Sequence, residues 1–172
     1  HIEGPGARTF WYPSKSAFRS GYVADTQWDD IKIGEYSFAG GKNTIALGNS
    51  STAFGNNTNA NADYSTALGQ GTTVSGTNSL VAGYQSTVSG DASVALGYQT
   101  DVIGNDSLAM GYQSSADGNV SLSVGYQSEA NGYVSLSLGY KTIADGWYST
   151  ALGYNTYASG DSSFASGHFS TA

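Results

Sequence analysis

At 172 residues the chain has the length of one ordinary domain, but 24 Gly, no Cys, one Met and 11% charged residues are not the composition of an ordinary enzyme. An average chain carries about 7% Gly and about 25% charged residues, so the balance argues against a helical protein and a conventional catalytic domain. The formal charge of -7 disfavours nucleic acid and anionic membrane as partners, since either needs a basic face to displace counterions, whereas 39% hydrophobic residues are too many for a disordered linker.

In chain order, His1-Ile2-Glu3-Gly4 resembles the remnant of an affinity tag and protease site, although the Arg that would end such a site is missing. Residues 1–9 are therefore set aside as a tag or linker. Residues 10–33 carry Trp11, Tyr12, Phe18, Tyr22 and Trp28 and lie outside any repeat, which predicts an aromatic cap over the end of the structure that follows, with an aromatic ligand platform as the alternative. No apolar run approaches the ~18 residues of a membrane span, so membrane anchoring is expected only through regions outside this sequence.

From Gly34 the chain steps by seven through Gly41, Gly48, Gly55, Gly69 and onward to Gly167, with Ala62 alone breaking the series. A Ser or Thr stands three residues after each tooth, as at Ser37, Thr44, Ser51 and Thr58, and a small residue, mostly Ala, two after that. The heptad S-x-A-x-G-x-x excludes a coiled coil, because a repeating Gly costs about 1 kcal/mol each time in a helix. In an extended segment the alternating small residues share one face, so that face is tightly enclosed. Each heptad is then a short strand and a corner, two heptads close one 14-residue coil, and about ten coils stack as parallel strands ~4.8 Å apart into a rod ~48 Å long. Gly at each corner supplies a positive φ or a close backbone approach, and the Ser/Thr ladder satisfies backbone groups inside.

The outward positions of the two heptads differ. In the first they are mostly large and apolar: Phe54, Leu68, Leu80, Val94, Leu96, Leu108, Met110, Leu122, Val124, Leu136, Leu138 and Leu152, weakened by Gly40, Thr52, Thr66, Thr150 and Ser166 near the ends. In the second they read Ile45/Leu47, Asn59/Asn61, Thr73/Ser75, Thr87/Ser89, Asp101/Ile103, Ser115/Asp117, Glu129/Asn131, Ile143/Asp145 and Tyr157/Ser159, a set that belongs in water. The apolar stripe exceeds what a soluble monomer leaves bare, and burying about fourteen large side chains at ~1.5 kcal/mol each is worth on the order of 20 kcal/mol per chain as an upper bound. The residues therefore predict a parallel homo-oligomer, with two, three or four chains open on periodicity alone.

Ser93-Val94-Ala95-Leu96-Gly97, Ser107-Leu108-Ala109-Met110-Gly111 and Ser65-Thr66-Ala67-Leu68-Gly69, each followed by a second such heptad, resemble the head repeat of YadA-like trimeric autotransporter adhesins. The resemblance covers roughly Glu35 to the C-terminus. It implies an all-β fold, a left-handed parallel β-roll or solenoid over 34–172, assembled as a parallel homotrimer through the apolar stripe, on the extracellular side of a bacterial outer membrane. The stop in mid-coil at Ala172 fits an excised head fragment.

A catalytic site needs a nucleophile or metal with an organised base, and the sequence offers only His1 and His168. Asp63, Asp91, Asp101, Asp117 and Asp161 read as solvated turn or outward residues without metal-ligand spacing. No G-G-x-G-x-D calcium run exists, and no helix start follows Gly69-Gln70-Gly71 to make a phosphate loop. No enzyme activity and no cofactor are expected. Tyr84, Tyr98, Tyr112, Tyr126, Tyr140 and Tyr154 recur directly after the Gly, one coil apart. They predict a ring ladder that stiffens the corner or borders the interface, or else a binding strip for an extended protein partner.

The function expected is an adhesin head whose rigid trimer multiplies a weak site, and the resemblance implies collagen, fibronectin or other cells as ligands. The alternative is a non-binding spacer of a surface or tail-fibre protein. Ice binding is disfavoured, because the outward positions of the second heptad hold no regular Thr array.

Overall fold

The computed structural model describes residues 3–172. His1 and Ile2, the start of the expected tag, lie outside the described residues. Strand β1 (Gly6–Tyr12) pairs antiparallel with β2 (Ala17–Val23), and β2 lies parallel to the first strand of the repeat, Phe38–Lys42. Nine more five-residue strands follow at one per coil, from Thr52–Asn56 to Phe164–His168, and complete a twelve-stranded sheet. Two-residue strands from Ile45–Ala46 to Tyr157–Ala158 form a second, nine-stranded sheet. The repeats thus make nine full turns of a parallel β-solenoid and a final long strand, against the ten coils expected.

Alternation dictates the cross-section. In Val94–Tyr98 the side chain of Ala95 points into the roll and is fully buried, while Val94 and Leu96 point out and stay half-buried. Every coil sits directly on the next: Val94 pairs with Leu108, Ala95 with Ala109 and Leu96 with Met110. Only small side chains fit inside, so the core is a column of Ala with Val74, Val81, Val88 and Val102. At Ser123 and Ser137 a hydroxyl replaces the inward Ala, and the apolar column divides there into two clusters. Each of these hydroxyls finds a partner across the roll, Ser123 Oγ donating to Ser128 O at 2.8 Å and Ser137 Oγ to Thr142 O at 2.8 Å.

The glycines divide into two columns with different work. Gly97 has φ +138, and a Cβ on it would lie 2.0 Å from Gly111 O in the next coil. Gly90, in the other column, needs no left-handed backbone, yet a Cβ there would lie 2.0 Å from Gly104 O. Ala62 belongs to the Gly90 column and keeps a φ that is not positive, so its backbone carries no left-handed strain. The left-handed residue of each corner stands two places after the glycine, as at Gln99 (φ +51) and Ala92 (φ +52). Val120 and Val134 take that conformation at φ +58 and +54, where a β-branched side chain is strained by about 1–3 kcal/mol.

The hydroxyl comb works as expected in part. Ser93 Oγ donates to Gly104 O at 2.9 Å and accepts the backbone N–H of Ser107 at 3.1 Å, so it ties one coil to the next. Ser79 and Ser107 do the same. The buried hydroxyls of Thr44, Thr58, Thr100 and Thr156 have no partner among the described residues. The hydroxyls of Ser135, Ser149 and Ser163 are unpartnered there too, so the comb ties coils together over only part of the rod.

At the amino-terminal end, β2 continues the long-strand sheet with Phe18 opposite Phe38 and Gly21 opposite Gly41. Arg19 then occupies the inward position of a small residue. It is fully buried, its guanidinium donating to Phe18 O, Ser37 O, Ser37 Oγ and Ala46 O at 2.8–3.0 Å, and desolvation lowers its pKa to about 10. Trp28 is buried beside it and donates from Nε1 to Thr44 O at 2.9 Å. Phe10 packs edge-on against Trp28, and Arg8 lies over the indole at 5.6 Å. The paired strand reaches back past residue 10 into the segment set aside as a tag or linker. Gly6 to Thr9 are paired strand, with Thr9 Oγ1 2.9 Å from Ser20 Oγ, and Gly4 N–H donates to Asp29 Oδ1 at 2.9 Å. The physical reason is that the first parallel strand needs a neighbour on its open edge, and this segment supplies one.

Candidate assembly and binding surfaces

Three columns of side chains run along the outside of the long-strand sheet. The first, at the start of each strand, holds Leu80, Val94, Leu108, Leu122 and Leu136, all half-buried. The second, at mid-strand, holds Phe54, Leu68, Leu96, Met110, Val124, Leu138 and Leu152, of which Phe54 leaves 55% of its surface bare. Nothing among the described residues covers these two columns. Phe18, Phe38 and Phe54 stack at 5.4 and 6.5 Å and carry the apolar surface to the amino-terminal end, past Gly40, where a Cβ would meet the Phe54 ring at 2.8 Å.

The third column is the Tyr ladder at the strand ends. Tyr84, Tyr98, Tyr112, Tyr126, Tyr140 and Tyr154 stack face to face at 4.8–5.0 Å, and His168 continues the stack 4.8 Å beyond Tyr154. His168 thus stands as an aromatic ring in the ladder. Tyr98 to Tyr154 each keep 37–40% of their surface, because a ring stacked on both faces offers only its edge and hydroxyl. Beside them Gln99, Gln113 and Gln127 form an amide ladder of Nε2-to-Oε1 bonds at 2.9–3.2 Å that begins at Gln85. A shallow groove of about 780 Å³ runs along this corner, lined by those three Gln with Glu129, Lys141, Ile143 and Asn155.

The opposite corner carries a ladder that the sequence reading missed. Asp63 Oδ1 accepts the backbone N–H of Asn49 at 2.7 Å, Asp91 that of Thr77 at 2.7 Å, Asn105 that of Asp91 at 2.8 Å and Asn119 that of Asn105 at 2.9 Å. The signal was the recurrence of Asx one residue after the second glycine. Asp91 also accepts the Thr77 hydroxyl, and these two bonds hold its carboxyl below the usual carboxylate range. The ladder is interrupted where Tyr133 and Trp147 replace Asx and resumes with the Trp147 N–H donating to Asp161 Oδ1 at 2.9 Å; Trp147 and Tyr148 are 61% and 55% exposed.

The short-strand face is largely polar, interrupted by Ile45, Leu47, Ile103 and Ile143, of which Leu47 and Ile103 are exposed. Asn131 Nδ2 donates to Asp145 Oδ1 at 2.7 Å, and Tyr157 donates its phenol to Asp145 Oδ2 at 2.7 Å, a bond to a carboxylate that raises its pKa. Asp101 accepts from Thr87 and Asp117 from Ser115. No group of three His, Cys, Asp or Glu that could hold a metal ion occurs among the described residues, and no helix there is long and apolar enough to cross a membrane.

A parallel β-solenoid of 14-residue coils with one unsheltered apolar face defines the class of the molecule. Its residues 33–51, 48–72, 75–100, 103–128, 130–156 and 144–170 match the YadA head domain repeat, and the chain belongs to that family. The comparison with curated proteins returned no match. The family is one of trimeric adhesin modules at the cell surface that are in general not enzymes.

Proposed function

We propose that this chain is the head of a trimeric bacterial surface adhesin, in which three rolls stand parallel with their long-strand sheets facing a common axis. On this reading Leu80, Val94, Leu108, Leu122 and Leu136, with Phe54, Leu68, Leu96, Met110, Val124, Leu138 and Leu152, form the trimer core. The observation that carries it is the half-exposed state of these side chains along a sheet whose other face is closed. The assembled rod presents three largely polar short-strand faces outward on the extracellular side of the outer membrane, and three copies of a weak site bind collagen, fibronectin or another cell surface with avidity.

A solid-phase assay with immobilised collagen and fibronectin tests the adhesive half of the proposal. Saturable binding by the intact protein, lost in the stripe variant Leu108→Asp/Leu136→Asp together with its assembly, is the expected result. A well-formed trimer that binds neither matrix protein nor host cells is a spacer, and the adhesin reading then fails.

A further inference from the structure

The two edges of the long-strand sheet are chemically opposite. From residue 34 onward the chain has two cations, Lys42 and Lys141, and both stand in the two corner positions of the strand-end edge, which hold no acid, while Glu129 lines the groove from the adjoining short strand. The strand-start edge, formed by the two residues between each second-heptad glycine and the next inward Ser, carries Glu35, Asp63, Asp91, Asp106 and Asp161 and no cation. Both edges also expose apolar surface. The ladder rings occupy one, and Tyr36, Tyr64, Val120, Val134 and Tyr148 the left-handed column of the other, between 37% and 67% exposed. A solvated turn has no use for Val in a strained conformation, so Val120 and Val134 mark a covered surface.

We infer that the two edges pair with each other between protomers, the Tyr ladder of one chain packing against the acidic, Val- and Tyr-bearing edge of the next. The inference rests on the parallel assembly proposed above and follows from its symmetry. Rotation about an axis parallel to the rods brings the strand-end edge of each copy to the strand-start edge of its neighbour, a heterologous contact that closes into a ring. Rotation also leaves height unchanged. Residues 134 and 140 are less than half a coil apart along the chain, so they differ in height by under ~2.4 Å. Tyr140 therefore meets Val134 of the partner subunit, Tyr126 meets Val120 of the partner subunit, and Lys42 meets Glu35 of the partner subunit. Charge of opposite sign on the two edges fixes which edge meets which, and a Tyr ladder suits the contact because each ring adds rigid area at little entropic cost.

The chain has no cysteine, which makes the seam directly testable by cross-linking. Val134→Cys/Tyr140→Cys, and independently Val120→Cys/Tyr126→Cys, are treated with a short bis-maleimide and resolved on denaturing gels. The expected product is a covalent ring of three chains from each double variant and none from any of the four single variants. The mismatched pair Val134→Cys/Tyr98→Cys, three coils or ~14 Å out of register, is expected to give no ring. Within one chain the two sites lie at opposite ends of a strand, too far apart to be bridged. Trimers by light scattering that yield no covalent ring from either matched pair, with Tyr140→Cys open to a bulky maleimide, would place the ladder outward as a ligand strip and overturn the seam alone. A single-chain species from the unsubstituted protein would instead overturn the assembly on which the seam rests.

Discussion

In the coil from Ser93 to Asp106 every inward side chain is small, and each backbone group is met by the coil on either side, whereas the amino-terminal end is filled by Arg19 and Trp28, two of the largest fully buried side chains in the molecule. The difference teaches what a solenoid needs at each place. A middle coil is enclosed by copies of itself, so its rule is uniform smallness and exact register costs nothing extra to specify. The first coil has no copy above it. Its carbonyls at Ser37 and Ala46 accept the Arg19 guanidinium in addition to the backbone N–H groups of Phe18 and Gly34, Thr44 O accepts the Trp28 indole N–H, and its strand edge is met by a hairpin.

The comparison breaks most severely at the glycines of the middle. Gly69→Ala puts a Cβ 2.0 Å from Gly83 O at φ +113, and since the obstacle is backbone held by the next coil, the variant is expected to lose cooperative folding, read as the absence of a thermal transition by circular dichroism. At the end, Trp28→Ala removes a fully buried indole and leaves Thr44 O without its donor. A loss of about 3–5 kcal/mol is expected in chemical denaturation, with the repeat still folded. Equal losses from the two substitutions would erase the distinction between end and middle.

Within the middle, Ser137→Ala restores the small apolar rule but strands the buried Thr142 hydroxyl, which Ser137 now meets at 2.7 Å. A cost of about 1–2 kcal/mol is expected, with Ser137→Ala/Thr142→Val, which removes the stranded hydroxyl and keeps the volume, recovering part of it. The smallest effect belongs to Gly71, where φ is +67 and a Cβ would meet the flexible Gln85 side chain at 3.4 Å and its backbone no nearer than 3.8 Å. Gly71→Asn, the residue type already used at Asn57 and Asn155 in the same column, is expected to stabilise by about 0.4–1 kcal/mol, seen as a small rise in Tm.

Much of this was legible before any coordinates. The S-x-A-x-G comb specifies which side chains enter the roll, and the alternation of Leu108 and Met110 with Ala109 specifies the apolar outer face. Other features were hidden for physical reasons. Gly21 and Gly41 are partners in the sheet but stand twenty residues apart, since the segment between them carries six residues more than a coil, so Phe18-Arg19-Ser20-Gly21-Tyr22 falls out of phase with the comb. Arg19 breaks the inward rule itself, because at the end a long side chain has room to lie inside and place its guanidinium on Phe18 O, Ser37 O, Ser37 Oγ and Ala46 O. The two glycine columns look alike as letters and separate only by φ. The sorting of Lys42 and Lys141 to one edge and five carboxylates to the other emerges once the coils are laid in register.

The central claim is that the apolar outer face of the long-strand sheet is sheltered by sister chains. Light scattering coupled to size exclusion measures this directly on the unsubstituted protein. The account predicts a single species at three times the 17.7 kDa chain mass, persisting on dilution. A stable, well-dispersed species at 17.7 kDa would contradict it.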